Sequence, residues 1–154
     1  PRPSPSDLAR LTDGMMESHY AKLYRELIAV AQEHDIPLVL VSFNMAVNQL
    51  SPAKVVTFYR GGFPGVDFSI VANRVHNLLL AALAEEHDQV LFVDSSDGLD
   101  GVHEHYIDLV HFTQSGRDQL AQNIYDGLDE FLEAEARLHG SPAEKPADSP
   151  RPAL

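Results

Sequence analysis

The chain contains no cysteine among its 154 residues. It therefore forms no disulfide, offers no thiolate nucleophile and provides no cysteine ligand for a metal. The absence does not indicate a compartment, because both cytosolic and secreted proteins can lack cysteine. Any catalysis must rest on other side chains, and the localisation stays open.

Basic residues are few, and long apolar runs are missing. The 11 Lys and Arg residues stand against 23 Asp and Glu, which gives a formal net charge of −12. That charge would repel phosphate backbones and anionic lipid headgroups, so nucleic acid is not an expected partner. No apolar run approaches the roughly 20 residues that span a bilayer. We therefore expect no transmembrane segment, and the oligomeric state stays open.

The remaining composition is typical of one globular domain. Hydrophobic residues make up 44% of the chain and charged residues 22%, which is enough apolar material for a core. Residues 1–6 and 140–154 are too poor in apolar side chains to offset the entropy of ordering. We expect them to form a flexible N-terminal tail and a disordered C-terminal tail, with the domain over residues 7–139.

The hydrophobic pattern predicts an α/β fold with a parallel sheet. Leu38-Val39-Leu40-Val41 is a continuous β-prone run, as in a central strand covered on both faces, and residues 89–93 repeat it. The repeated helix–strand unit indicates parallel strands. Two readable strands are few for a complete open sheet, which suggests missing sequence. Helices are predicted over residues 7–34, with an interruption near Asp13-Gly14, over 70–86 and over 113–138.

Asp108 and His111 stand three residues apart, just ahead of the last predicted helix. Open parallel sheets bind ligands beyond the carboxyl ends of their strands, where this segment is expected. A histidine before a helix N-terminus is kept neutral by the helix dipole. A carboxylate one turn earlier can hold one ring nitrogen while the other accepts a proton from a nucleophile. The pair is therefore half of a catalytic triad or, in the simpler interpretation, a loop histidine beside a turn aspartate.

The block from Tyr106 to Gly116, with Thr113 as the cap of the helix that follows, closely resembles the last conserved block of the SGNH (GDSL-type) hydrolases. The resemblance covers residues 8–138 and implies a three-layer α/β/α sandwich of the flavodoxin-like kind, represented here by its C-terminal half. Upstream segments follow that half of the family in order, namely Tyr20 with Tyr24–Ile28, Pro37–Ser42, Ala72–Leu83 and Val90–Asp94.

In that family the last block supplies the Asp and His of a Ser-His-Asp triad, which here fall on Asp108 and His111. The resemblance implies a serine ester hydrolase that forms an acyl-enzyme, without metal or organic cofactor. Its substrate would be a small-molecule or glycan ester of a class that family membership does not specify. The Gly-Asp-Ser and Gly-x-Asn-Asp blocks of the family do not occur in the sequence. We therefore expect a truncated enzyme that is inactive by itself.

The alternative is a non-catalytic binding or structural α/β module that has lost the serine blocks. Such a module would use the acidic surface and the aromatic segment over residues 44–69 for a partner. The two hypotheses predict different DNA sequences upstream of the Pro1 codon. A truncated enzyme has Gly-Asp-Ser encoded there, whereas a module has a genuine start.

Several other segments near the expected crevice have competing interpretations. His103-Glu104-His105 is dense in metal-ligand types, and in an extended segment His103 and His105 would point the same way. We favour a solvated loop there, because no cysteine supports a metal. The predicted loop over 44–69 either lines a substrate crevice or packs as a surface loop. Asp94 is expected to cap the second strand, and neither Ser42 nor Ser115 has the context of a nucleophile.

Overall fold

The computed structural model describes residues 3–139 and shows an α/β chain with a small parallel sheet. The strands β1 and β2 pair in parallel, with Leu38 opposite Val90 and Val41 opposite Val93. This confirms the predicted α/β class and both strands. The elements are α1 (Pro5–Met16), α2 (His19–Glu33), β1 (Leu38–Val41), α3 (Ala53–Gly62), α4 (Val66–Glu85), β2 (Val90–Val93), a 3₁₀ turn (His103–His105) and α5 (Gln114–His139).

The N-terminal segment is more ordered than predicted. The Ser4 Oγ atom accepts a hydrogen bond from the Asp7 backbone N–H, and Asp7 Oδ2 accepts one from the Ser4 backbone N–H, each at 3.1 Å. This reciprocal capping box starts α1 at Pro5, in the first turn where proline is favoured. The expectation of a flexible tail is therefore wrong for residues 4–6. The expected tail over 140–154 lies outside the described residues.

The first predicted helix is in fact two helices. The break falls at Glu17-Ser18 and not near Asp13-Gly14. Ser18 causes it, because its side chain accepts a hydrogen bond from the Ala21 backbone N–H at 3.2 Å and so caps α2.

The long loop predicted between the first strand and the next helix is also wrong, because it contains α3. Pro52 stands just before this helix, where its restricted φ suits helix entry. Arg60 near the end of α3 then pairs with Asp67 of α4, with a guanidinium-to-carboxylate distance of 2.8 Å. Only residues 63–65 separate the two helices, because α3 ends at Gly62 and α4 begins at Val66. The ion pair thus connects the two sides of a short turn.

Helices contact both faces of the sheet. On one face, Ile28 of α2 and Leu79 of α4 are buried with Leu40 of β1. On the other face, α5 approaches β2 at Gly127. A Cβ atom there would lie 2.7 Å from Cγ1 of Val93, so only glycine permits this close packing.

Strand β1 does not have the position of a central strand in the described part of the chain. Within residues 3–139 it pairs only with β2, and Leu40 is its one buried residue. The neighbouring helix α2 also leaves an apolar stripe half-exposed. Its members are Tyr20, Leu23, Leu27 and Val30, between 44% and 52% exposed.

None of the helices described, from α1 to α5, is both long and apolar enough to cross a bilayer.

Candidate active site

Asp108 and His111 lie at the tip of a short hairpin over residues 105–113. Two backbone hydrogen bonds join its arms, from Thr113 N–H to the His105 carbonyl at 2.9 Å and from Ile107 N–H to the His111 carbonyl at 2.7 Å. Between them, the rings of Tyr106 and Phe112 contact each other with centroids 4.8 Å apart and planes inclined by 40°, and both pack on the core beneath the loops. The buried Tyr106 and the partly buried Phe112 therefore anchor the hairpin to the core, while the His111 side chain at its tip is 74% exposed.

Asp108 binds both the backbone and the ring of His111. Its Oδ1 atom accepts hydrogen bonds from the backbone N–H groups of Val110 and His111, each at 2.9 Å, and its Oδ2 atom lies 2.8 Å from His111 Nδ1. The Val110 N–H, followed by the backbone and ring of His111, lowers the pKa of Asp108 to about 2. The ionised carboxylate favours the tautomer with its proton on Nδ1, which leaves Nε2 free to accept a proton.

Helix α3 and the loop after β1 each donate a hydrogen bond to a backbone carbonyl of the hairpin. The Tyr59 hydroxyl of α3 donates to the carbonyl oxygen of Asp108 at 3.4 Å. The Ala46 N–H, in the loop after β1, donates to the carbonyl of Leu109 at 3.0 Å. The sequence indicated Tyr59 only as part of an aromatic loop and did not predict its contact with Asp108, although Val55 and Tyr59 have the four-residue spacing of a buried helical face.

The start of α5 lies tightly against the hairpin. Thr113 Oγ1 accepts a hydrogen bond from the Gly116 N–H at 3.2 Å, which confirms Thr113 as the cap. Gly116 approaches the His105 carbonyl so closely that a Cβ atom would overlap its oxygen. Glycine at this position is thus required by the packing between α5 and the hairpin.

The carboxyl ends of the two strands are joined by a buried polar network. The Ser95 N–H donates to Ser42 Oγ at 2.9 Å, and Asn44 Nδ2 donates to Ser95 Oγ at 2.8 Å. Asp94 Oδ1 accepts from the Ser96 N–H at 3.1 Å, as expected of a strand cap. Ser42 is buried and occupied by these contacts, so it is unsuited to attack a substrate.

His103 and His105, at the start of the hairpin, do not have the arrangement expected for a metal site. Residues 103–105 form a 3₁₀ turn and not an extended segment. The strand geometry that would place the His103 and His105 side chains on one face is therefore absent there. His105 Nδ1 instead lies 3.1 Å from Ser115 Oγ, a contact that the sequence did not predict. Within residues 3–139, no group of three or more His, Cys, Asp or Glu side chains is placed to hold a metal ion.

A wide groove adjoins the hairpin on the side of α1 and α4, and we name it the apolar groove. Its volume is about 610 Å³, and its wall includes Leu109 and Val110, the two residues between Asp108 and His111. Met45, Phe68 and Ser69 also line it, so both ends of the segment over 44–69 border the groove. The rest of the wall is formed by Met15, Tyr20, Phe43, Ala72, Asn73 and His76.

Comparison with protein-family models, with curated proteins and with solved structures finds no match to the chain.

Proposed function

We propose that this chain carries the His–Asp half of the triad of an SGNH-type serine ester hydrolase, with Asp108 and His111 in those roles. The observation that carries the proposal is the 2.8 Å contact between His111 Nδ1 and Asp108 Oδ2 on an exposed hairpin tip. The serine and the oxyanion-hole donors would lie outside these 154 residues, because Ser42 is buried and the sequence has no Gly-Asp-Ser block.

In this proposal His111 moves one proton in each half of the reaction. Its Nε2 atom accepts the serine proton as the serine oxygen attacks the ester carbonyl, and then donates it to the departing alcohol. A water molecule next gives a proton to Nε2 as its oxygen attacks the acyl-enzyme, and Nε2 returns that proton to the serine oxygen as the acid is released. Asp108 stays ionised and stabilises the imidazolium that forms in each step.

The proposal extends to a three-layer flavodoxin-like sandwich. Its support is the edge of β1 that pairs with no strand within residues 3–139, together with the half-exposed apolar stripe of α2. Both are surfaces that a further strand and helix of the same sheet would cover. The location of helices on both faces of β1 and β2 agrees with such an arrangement. A sequence run as apolar as Leu38–Val41 is also typical of a parallel strand covered on both faces, whereas only Leu40 is buried here.

The test begins with the DNA upstream of the Pro1 codon. If the reading frame encodes a strand followed by Gly-Asp-Ser, the longer protein is purified and assayed with p-nitrophenyl acetate. We expect His111→Ala to reduce turnover by about 10³-fold or more, because the general base is lost. His103→Ala is the matched control, since this exposed histidine lies outside the hairpin.

Two results would contradict the enzyme hypothesis. Unchanged turnover in the His111→Ala protein would remove the proposed base from the reaction. A genuine initiation codon directly before the Pro1 codon would favour the non-catalytic module and leave Asp108 and His111 as elements of loop structure.

A further inference from the structure

The outer edge of β2 pairs with no strand within residues 3–139, where the sheet consists of β1 and β2. The Val93 carbonyl accepts a hydrogen bond from the Ser42 N–H at 3.0 Å, so the backbone of Val93 faces β1. Because the backbone groups of successive residues in a strand point in alternate directions, the N–H and C=O groups of Phe92 point away from β1. An incoming strand would therefore find a donor and an acceptor at Phe92.

The proposed function leaves this edge free, because its further strand pairs with β1 at the opposite edge of the sheet. The two cavities that flank the outer edge of β2 contain neither Asp108 nor His111 in their walls. The surface is thus separate from the catalytic hairpin.

The two cavities lie on opposite faces of the sheet and share Phe92 and Asp94 in their walls. On the face of α5 is a groove of about 540 Å³, which we name the acidic groove. Its walls are Leu91–Asp94 of the strand and its end, with Asp97, Asn123, Asp126 and Gly127. On the face of α4 is a cavity of about 260 Å³ that includes Asn73 and Asn77, and we name it the polar pocket.

This arrangement matches the geometry of an added strand. Side chains of a strand alternate between the two faces of a sheet. Successive side chains of a segment paired with Phe92 would therefore enter the acidic groove and the polar pocket in turn. Domains that bind peptides by strand addition use main-chain hydrogen bonds for affinity and such alternate cavities for specificity.

The charge of the groove indicates what kind of segment it fits. Its charged side chains are the exposed Asp94, Asp97 and Asp126, and its described walls contain no Lys or Arg. The chain as a whole has a net charge of −12. A cationic segment is therefore attracted to this edge, whereas a second, equally acidic copy of the chain is repelled.

We infer that the outer edge of β2 is an interaction surface that binds an extended basic segment of a partner protein as an added strand. Lys or Arg at every second position enters the acidic groove, and the main chain pairs with Phe92. The side chains between the basic residues enter the polar pocket, whose amide groups suit Ser, Thr or Asn.

The experiment titrates the 154-residue chain with the end-capped peptide Thr-Lys-Thr-Lys-Thr-Lys-Thr, followed by nuclear magnetic resonance (NMR). The control peptide has the same sequence with every amide nitrogen methylated, so it keeps the charge and loses the donors. We expect the unmethylated peptide to bind at least about tenfold more tightly, because several hydrogen bonds depend on those donors. Hydrogen exchange of the Phe92 N–H should slow about tenfold or more in the complex.

A pair of double variants tests the charge of the groove. Asp97→Asn with Asp126→Asn should weaken binding of the unmethylated peptide about fivefold and reduce its salt dependence. Asp13→Asn with Glu17→Gln is the matched control. It removes the same charge from exposed residues at the end of α1 that line neither cavity.

Each of four results would overturn the inference. Equal affinity for the two peptides, or equal losses in the two double variants, would indicate diffuse attraction between opposite charges without strand pairing. Binding of neither peptide would leave the aspartates as side chains that protect the edge from pairing. Slow exchange of the Phe92 N–H in the free chain would indicate that the chain itself, or a second copy, already covers the edge.

Discussion

The Nδ1 atom of His111 lies 2.8 Å from Oδ2 of Asp108, while Oδ1 of the same carboxylate accepts the His111 backbone N–H at 2.9 Å. One side chain thus orients both the ring and the backbone of the histidine. The contacts lie within one hairpin, so the pair is preorganised by the 154-residue chain itself.

Asp108→Asn should leave the hairpin folded and change the tautomer of His111. Asparagine keeps an oxygen for the two backbone N–H groups but presents an amide donor to Nδ1, so the ring proton is expected on Nε2. Nitrogen-15 NMR shifts of the imidazole would report the change. In the longer protein we expect a loss of about 10⁴-fold in turnover, as for other triads with the wrong tautomer.

The control for that substitution is Asp97→Asn, an exposed aspartate in the loop after β2. It should change neither the His111 shifts nor turnover. An Asp108→Asn chain in which the proton remains on Nδ1 would contradict the tautomer argument.

The contact between Asp108 and His111 should survive mild acid. The pKa of Asp108 is about 2 in the folded chain because of the Val110 and His111 N–H groups, whereas an unfolded aspartate titrates near about 3.9. A lowered folded pKa means that the stabilisation is complete above about pH 4 and is lost as the pH falls towards about 2. A carbon-13 titration of the carboxyl group measures this, and a midpoint near the ordinary value would contradict it.

Tyr106→Phe should maintain or raise the stability of the chain. Within residues 3–139 the buried Tyr106 hydroxyl has no hydrogen-bond partner, so removing it should raise the free energy of unfolding by about 1 kcal/mol. Tyr59→Phe is the matched comparison, because its hydroxyl donates to Asp108 and its removal should cost about 1 kcal/mol. Urea unfolding distinguishes them, and a destabilised Tyr106→Phe chain would indicate a partner for that hydroxyl.

Gly116→Ala and Gly14→Ala should have opposite effects on stability, although both residues lie in helices. A Cβ atom on Gly116 would overlap the His105 carbonyl, so we expect a loss of about 1–3 kcal/mol from the strained packing of α5 on the hairpin. Gly14 has no atom within 4 Å of its Cβ position, so alanine there should raise stability by about 0.5–1 kcal/mol. Thermal unfolding of both variants tests the pair, and equal effects would contradict the close contact at Gly116.

The sequence predicted those parts of the fold that depend on neighbouring residues. The apolar runs over 38–41 and 89–93, and Thr113 before the last helix, are local patterns with direct physical consequences. The prediction was wrong where a short signal was overlooked, as at the capping box of Ser4 and the cap at Ser18. It was also wrong over residues 44–69, where glycine and aromatic content suggested a loop and the spacing of Val55 and Tyr59 marked a helix.

The sequence by itself determined the acidic charge, the absence of thiol chemistry, the strand and helix types, and the spacing that lets Asp108 contact His111. These depend on composition or on residues a few positions apart. Only the tertiary structure decided that Tyr59 donates to Asp108, 49 positions along the chain, and that Phe43, Phe68 and Val110 share one groove. Such contacts form only when α3 and α4 pack beside the sheet, and no local pattern specifies which distant side chains then meet.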